Sequence, residues 1–139
     1  PYVGYAPVQT DKTALSMAEL RREMIEIRST RPPEDDELAR VMDERTLTLP
    51  GSWETAGSVA GSLAAMVRYG YADDYWDTYA DRVRGTTLSD VSEAAKKYVQ
   101  PDRLVWVVVG DREKIEEEVR SLEYGEVTFL DVDGNPIAE

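Results

Sequence analysis

The stretch RLVWVVVGDREKIEEEV, residues 103–119, has the order of residues that opens many nucleotide sites: an apolar run, a glycine and a charged helical segment. A dinucleotide site, however, requires G-x-G-x-x-G directly after the strand. Here Gly110 stands alone, and Asp111 and Glu113 would repel a phosphate at the start of the helix. The pattern therefore favours a strand followed by a helix that Asp111 caps, and it argues against a nucleotide site.

Two groups of acidic residues have side chains of the type that metal sites or proton-transfer sites use. The run DVDGN, residues 131–135, resembles a calcium loop, but an EF-hand needs its glycine at position 6, and Gly134 is fourth in this run. An Asp-Gly turn explains the run better. Asp73 and Asp74 are adjacent, so on a helix they do not face each other, and they fit the first turn of a helix. The sequence thus predicts no catalytic residue and no metal ligand.

The composition excludes several classes of function. With no histidine and no cysteine, the chain cannot hold a Ser-His-Asp or Cys-His set, and it lacks the usual zinc ligands. A formal net charge of −12 argues against nucleic acid and against an anionic membrane surface. No apolar run approaches the roughly 20 residues that span a bilayer. We therefore expect neither a nucleic-acid partner nor a membrane partner.

The periodicity of the chain predicts an α+β fold, in which helices pack on one layer of mainly antiparallel sheet. Strands are predicted at 2–10, 103–109 and 126–130, with five helices between the first two strands and one between the last two. The strand 103–109 is apolar on both faces and is therefore predicted to be central in the sheet. The helix at 53–69 is apolar on most sides and is predicted to be buried. A length of 139 residues suits one domain, 1–139.

Local signals predict where several helices begin and end. Ser16 with Glu19 and Thr87 with Asp90 have the spacing of capping boxes, and Ser52 is a plausible N-cap for the helix at 53–69. Gly85 is expected to end the helix before it. The helix at 112–122 is predicted to face inward through three residues at helical spacing, Ile115, Val119 and Leu122.

Four segments in order carry a resemblance to a family: YAPVQTDKTALSMAELRREM, DELARVMDERTLTLPGSWET, GYADDYWDTYADRVRGTTLSDVSEAAKKYVQPDRLVWVVVGD and GEVTFLDVDGNPI. Together they resemble the C-terminal part of bacterial zinc peptidases of the insulinase (pitrilysin) family, whose relatives include the mitochondrial processing peptidases. The resemblance covers nearly the whole chain. It implies paired α/β domains around a peptide chamber, one of which binds zinc through H-x-x-E-H and a distant glutamate.

Because this chain has no histidine, the resemblance implies the substrate-binding, non-catalytic half, inactive by itself and without a cofactor. The implied partners are a peptide substrate and the catalytic half or subunit, which would hold the zinc. In the family the second half supplies an Arg and a Tyr that reach the substrate carbonyl. Tyr2 lies in the matching segment, Tyr5 is a weaker candidate, and the matching Arg would precede Pro1. An earlier strand and helix of the family domain are missing, so a truncated domain is expected.

Two other interpretations remain open. The chain could be a zinc-less structural subunit related to the processing peptidases, or an unrelated acidic interaction domain with no peptide chamber. The resemblance further implies export to the periplasm, since bacterial members of this kind are often exported. The peptide substrate does not follow from the sequence.

Overall fold

The computed structural model describes residues 2–137, and this part of the chain is all-α. It contains six α-helices: α1 (Thr13–Glu26), α2 (Asp35–Leu47), α3 (Ala56–Tyr69), α4 (Tyr75–Arg84), α5 (Leu88–Tyr98) and α6 (Arg112–Ser121). Short 3-10 helices cover Thr10–Lys12, Pro50–Trp53 and Pro101–Arg103. No helix in this part of the chain combines the length and the apolar character needed to cross a membrane.

The prediction of an α+β fold is wrong, because residues 2–137 form no sheet. The segments at 2–9, 104–109 and 126–129 are irregular, and the only β-bridge among the described residues joins Leu130 to Pro136. A run of β-branched residues shows that a segment fits a sheet, but a sheet also requires a neighbouring backbone to bond with. The residues predicted to form the central strand have no such neighbour here.

The predicted burial of residues 103–109 is also wrong. Arg103 ends a 3-10 helix, and Val105, Val107 and Val109 are 89%, 81% and 95% exposed. Only Leu104 and Trp106, which alternate with these valines, are partly covered. A charge at Val107 would therefore remain in water, so the large loss of stability expected for a buried charge does not apply.

The chain divides into two compact units. Unit 1 comprises Pro1–Glu26 and Val99–Glu139, and unit 2 comprises Ile27–Tyr98. Unit 1 thus joins the two ends of the chain, whereas unit 2 is continuous in sequence. The assignment of 1–139 to one domain stays a prediction.

In unit 1, α1 packs against α6. Helix α1 is the first of the five predicted between the strands at 2–10 and 103–109, and its residues Ala14 and Met17 are buried. The helix begins at Thr13, whose hydroxyl donates to the carbonyl of Thr10 at 2.9 Å. The capping box predicted at Ser16 is therefore wrong, because Ser16 lies inside the helix.

α6 follows its prediction closely. Asp111 is the N-cap residue, although its carboxylate pairs with Lys114 Nζ at 2.7 Å instead of bonding a backbone N–H. Ile115 is buried, and Val119 and Leu122 are partly covered. The inward face predicted for this helix is confirmed.

In unit 2, α2 packs against α4, and local capping sets the helix ends. Thr87 N–H donates to the Asp90 carboxylate at 2.8 Å and Asp90 N–H donates to the Thr87 hydroxyl at 3.2 Å, so the predicted capping box is confirmed. The Thr87 hydroxyl and backbone N–H also lower the pKa of Asp90. Gly85 is the C-cap of α4, as predicted.

α3 departs from its prediction in two ways. Its capping residue is Thr55, which exchanges hydrogen bonds with Ser58, and Ser52 lies in the preceding 3-10 helix. The helix is also not buried: Val59, Leu63 and Val67 lie four residues apart and are 40%, 57% and 86% exposed. These three residues form an apolar stripe along α3 that is open to solvent.

Candidate functional site

Tyr2 and Tyr5, the two candidate site residues predicted from the sequence, are exposed at the start of unit 1. Tyr2 is 64% exposed and Tyr5 is 87% exposed. A Cβ at Gly4, between them, would lie 3.7 Å from Met24 Cε, so the segment is held close to α1 at this point. Phenol hydroxyls can donate hydrogen bonds to negative charge that develops on a carbonyl oxygen. The structure thus makes both rings accessible to a peptide.

Unit 1 also contains a shallow cleft of about 180 Å³, formed by residues far apart in sequence. It is lined by Arg21, Pro101, Asp102, Leu104, Trp106, Glu123 and Tyr124. This volume is below the roughly 300–1,000 Å³ of most small-molecule sites. The cleft is therefore too small to be our candidate for a ligand site.

The contacts within this cleft explain its structural role. The Arg21 Nη2 donates to Asp102 Oδ1 at 3.0 Å, and the guanidinium lies 5.3 Å from the centre of the Tyr124 ring. Tyr124 in turn stacks on Trp106 with 5.7 Å between ring centres. These contacts hold one face of the segment 104–109 in place. No spacing in the sequence could have indicated them, because they join three distant segments.

A second anchor in unit 1 fixes the segment that follows α6. The guanidinium of Arg112 lies 3.6 Å from the centre of the Phe129 ring, and that of Arg120 lies 5.5 Å from it. Glu116 accepts from Arg112 Nε at 2.7 Å and from Arg120 Nε at 2.9 Å. Hydrogen bonds from these two arginines lower the pKa of the Glu116 carboxyl. This network of paired charges has a clear packing role.

Unit 2 has a cluster of aromatic rings on α4 and the segments around it. Tyr71 stacks on Tyr75 with 4.2 Å between ring centres, and Trp76 meets Trp53 edge to face at 5.3 Å. Tyr79 lies 5.3 Å from Trp76. The name aromatic cluster is used below for these five residues. Their rings cover one another, so the cluster acts as packing for unit 2.

The acidic residues considered as proton-transfer or calcium sites have local structural roles. Asp73 and Asp74 are exposed at the start of α4, where the carbonyl of Asp74 accepts from Thr78 N–H at 3.1 Å. Asp131 Oδ1 accepts from the backbone N–H groups of Asp133 at 2.9 Å and Asn135 at 2.8 Å. The turn predicted at 131–135 is confirmed.

In residues 2–137, no three His, Cys, Asp or Glu side chains are grouped so that they could hold a metal ion. Several of the described carboxylates lie on helices and pair with arginine, among them Glu19, Asp36 and Glu116. The zinc of the implied peptidase therefore has no group of three candidate ligands among the described residues.

The exposed valines of unit 1 form a feature that the sequence did not indicate. The name valine edge is used below for residues 105–109. In the described part of the chain, the N–H and C=O groups of these residues bond no other backbone group. The backbone is thus free to pair with another strand, and Val105, Val107 and Val109 face solvent.

Comparisons with protein-family models, with curated proteins and with solved structures gave no match. The resemblance to the insulinase family, and the roles it implies for Tyr2 and Tyr5, therefore stay predictions.

Proposed function

We propose that this chain is the substrate-binding, non-catalytic half of a zinc-dependent peptidase of the insulinase (pitrilysin) type. The sequence segments that resemble that family support the proposal. The structural observation that carries it is the exposed N-terminal segment of unit 1, in which Tyr2 and Tyr5 are accessible to a peptide.

In this proposal Tyr2 acts through its phenol hydroxyl. The zinc-binding half would supply the activated water, and its attack would place negative charge on the oxygen of the scissile carbonyl. The Tyr2 hydroxyl donates a hydrogen bond to that oxygen and stabilises the transition state. Loss of one such donor typically lowers kcat by about 100- to 1,000-fold. Tyr5, farther along the segment, contacts the bound peptide.

The test is Tyr2→Phe in the enzyme assembled with its zinc-binding half. Phenylalanine keeps the ring and removes only the donor, so we expect kcat to fall at least about 100-fold with little change in KM. Tyr98→Phe is a matched control, because Tyr98 is also 64% exposed but lies on α5 in unit 2. Cleavage of a quenched fluorescent peptide gives both constants. Equal kcat/KM values for the Tyr2→Phe variant and the parent would contradict the role of Tyr2.

A second function, that of a zinc-less structural subunit, is favoured by the apolar stripe of α3. Exposed apolar surface of this kind often marks a contact with another protein. If the chain is only structural, Leu63→Lys should prevent assembly with its partner subunit, and Tyr2→Phe should change no measured activity. Assembly is measured by co-purification of the two subunits. An intact complex with the Leu63→Lys variant would argue against this alternative.

A further inference from the structure

The valine edge offers a pairing surface that the proposed function does not use. Its backbone groups have no backbone partner among residues 2–137, and its three outward side chains are between 81% and 95% exposed. The opposite face is held by Trp106, which stacks on Tyr124. The segment is therefore anchored on one face while its backbone is left free to pair, as the backbone of an unprotected sheet edge is.

The outward residues of this edge match one another when the run is paired antiparallel with a second copy. In the run RLVWVVVGD, residues 103–111, an antiparallel pairing centred on Val107 places Val105 opposite Val109 and Val107 opposite its own copy. Residues directly opposite in an antiparallel pair point to the same face, so the exposed valines of two copies meet one another. Pairs of β-branched residues across two strands are stabilising.

The same register also matches the charges at the two ends of the run. Arg103 of each copy falls opposite Asp111 of the other, because both lie four residues from Val107. Both residues are exposed; Arg103 donates to Gln100 Oε1 at 3.2 Å, and Asp111 pairs with Lys114. A parallel pairing in register would instead oppose arginine to arginine and aspartate to aspartate. The charges therefore favour one antiparallel register over the parallel one.

We propose that the valine edge pairs with the valine edge of a second copy of this chain, antiparallel and centred on Val107, in a two-fold symmetric dimer. The contact is isologous, since the same surface is used on both copies and the symmetry closes it at two chains. Two short strands make an interface well under the roughly 1,200 Å² of standard complexes, so the dimer is weak. The net charge of −12 on each chain also opposes association.

The first test is sedimentation velocity on the full chain, from low-micromolar to millimolar concentration. It is done near 0.15 M salt, where the screening length is about 8 Å. We expect a reversible monomer–dimer equilibrium. Val107→Lys should raise the dissociation constant at least about tenfold, because two like charges then stand opposite each other. A chain that stays monomeric throughout, or that forms open-ended assemblies, would overturn the proposal.

The matched control is Val132→Lys, which makes the same change in unit 1 at a valine that is 102% exposed and lies in the turn at 131–135. It should leave the dissociation constant unchanged within about twofold. Both positions are exposed, so both variants should keep the parent's far-ultraviolet circular dichroism. If Val132→Lys weakens the dimer as much as Val107→Lys does, association depends on net charge and not on the valine edge.

A charge exchange tests the register. Arg103→Asp alone opposes two aspartates at each end of the paired strands and should weaken the dimer. Combining it with Asp111→Arg restores opposite charges only in the antiparallel register, so the double variant should dimerise more tightly than Arg103→Asp. Failure of the double variant to recover, while its helix content is unchanged, would rule this register out.

Hydrogen exchange gives an independent readout at single amides. In a paired strand, alternate N–H groups point to the partner, so every second amide of 105–109 should exchange more slowly. This protection should disappear on dilution, as the dimer dissociates. Uniform exchange across the five amides at high concentration would contradict strand pairing, even if the chain were dimeric through another surface.

Discussion

The aromatic cluster of unit 2 and the valine edge of unit 1 are both dense in large apolar side chains, but only the first is covered by its own unit. In the aromatic cluster, Tyr71, Tyr75 and Tyr79 follow at intervals of four residues, and each ring contacts a neighbour within 6 Å. On the valine edge, side chains alternate between two faces, and among the described residues the outward valines are 81% to 95% exposed.

This difference between the two regions follows from the size of their side chains. A large side chain can be covered by residues near it in sequence, whereas a short one needs a distant segment to cover it. Aromatic rings at helical spacing meet each other along one short segment, so their packing needs few distant partners. Valines on an extended backbone are short, and they become covered only when another strand or sheet lies beside them. A unit without that neighbour leaves them exposed.

The substitution with the largest expected effect on stability is Trp76→Ala in the aromatic cluster. Trp76 contacts the rings of Trp53, Tyr75 and Tyr79, and its removal leaves a gap that the other rings cannot fill. We expect the free energy of unfolding to fall by about 3 kcal/mol. Urea denaturation followed by circular dichroism measures it. A loss smaller than about 1 kcal/mol would show that the cluster does not stabilise unit 2.

The next test compares neighbouring residues on the two faces of the segment 104–109. Trp106→Ala removes the stacking on Tyr124 and should cost about 2 kcal/mol. Val107→Ala removes an exposed side chain and should change stability by less than about 0.5 kcal/mol. Both are measured by urea denaturation of dilute protein, where no dimer forms. Equal losses would mean that the valine edge is covered after all.

A smaller effect is expected from Thr87→Ala at the start of α5. The substitution removes the hydroxyl that accepts from Asp90 N–H, and such a loss typically costs about 1 kcal/mol. This substitution tests whether structure can be stabilised by residues near one another in sequence, because the capping box needs no contact outside residues 87–90. Thr78→Ala is a useful control, since the Thr78 hydroxyl donates to the carbonyl of Asp74, four residues earlier, and accepts from no backbone N–H at a helix end. Thermal unfolding of both variants checks the difference.

The smallest expected effect is that of low pH on the turn at 131–135. Backbone N–H groups, of which that of Asn135 contributes most, lower the pKa of Asp131. Because the pKa is lower when folded, the stability from this group is present above the unfolded value of about 3.9 and is lost as pH falls through the folded value. We expect the turn at 131–135 to loosen in that acid range. Backbone chemical shifts of Gly134 against pH would follow it, and Asp131→Asn should remove the dependence.

The sequence predicted several local features of the fold, although the caps expected at Ser16 and Ser52 were wrong, and it predicted long-range features poorly. The capping box of Thr87, the C-cap at Gly85 and the inward face of α6 depend on residues within a turn or two, and all were predicted. The sheet was not, because the apolar run at 103–109 carries no information on whether another strand lies beside it. For the same reason α3 was predicted to be buried, although nothing in the sequence specified what would cover it.

The sequence was also a limited guide to the candidate site. The sequence singled out Tyr2 and Tyr5, and the structure places both at the surface, but the roles proposed for them stay predictions. The sequence did not indicate the valine edge, because residues 103–109 were predicted to form the central strand of a sheet. A comparison of the run with its own reverse would have shown the matching charges at Arg103 and Asp111.

The three tryptophans are divided between the two units, so optical spectroscopy can follow each unit separately. Trp53 and Trp76 lie in unit 2 with their rings 5.3 Å apart, close enough for their indole transitions to couple and to give a paired signal in near-ultraviolet circular dichroism. Trp106 is the lone indole of unit 1 and reports from beside Tyr124. With Trp106→Phe, the remaining tryptophan emission comes from unit 2 alone. Comparing this variant with the parent chain therefore shows the order in which the two units unfold.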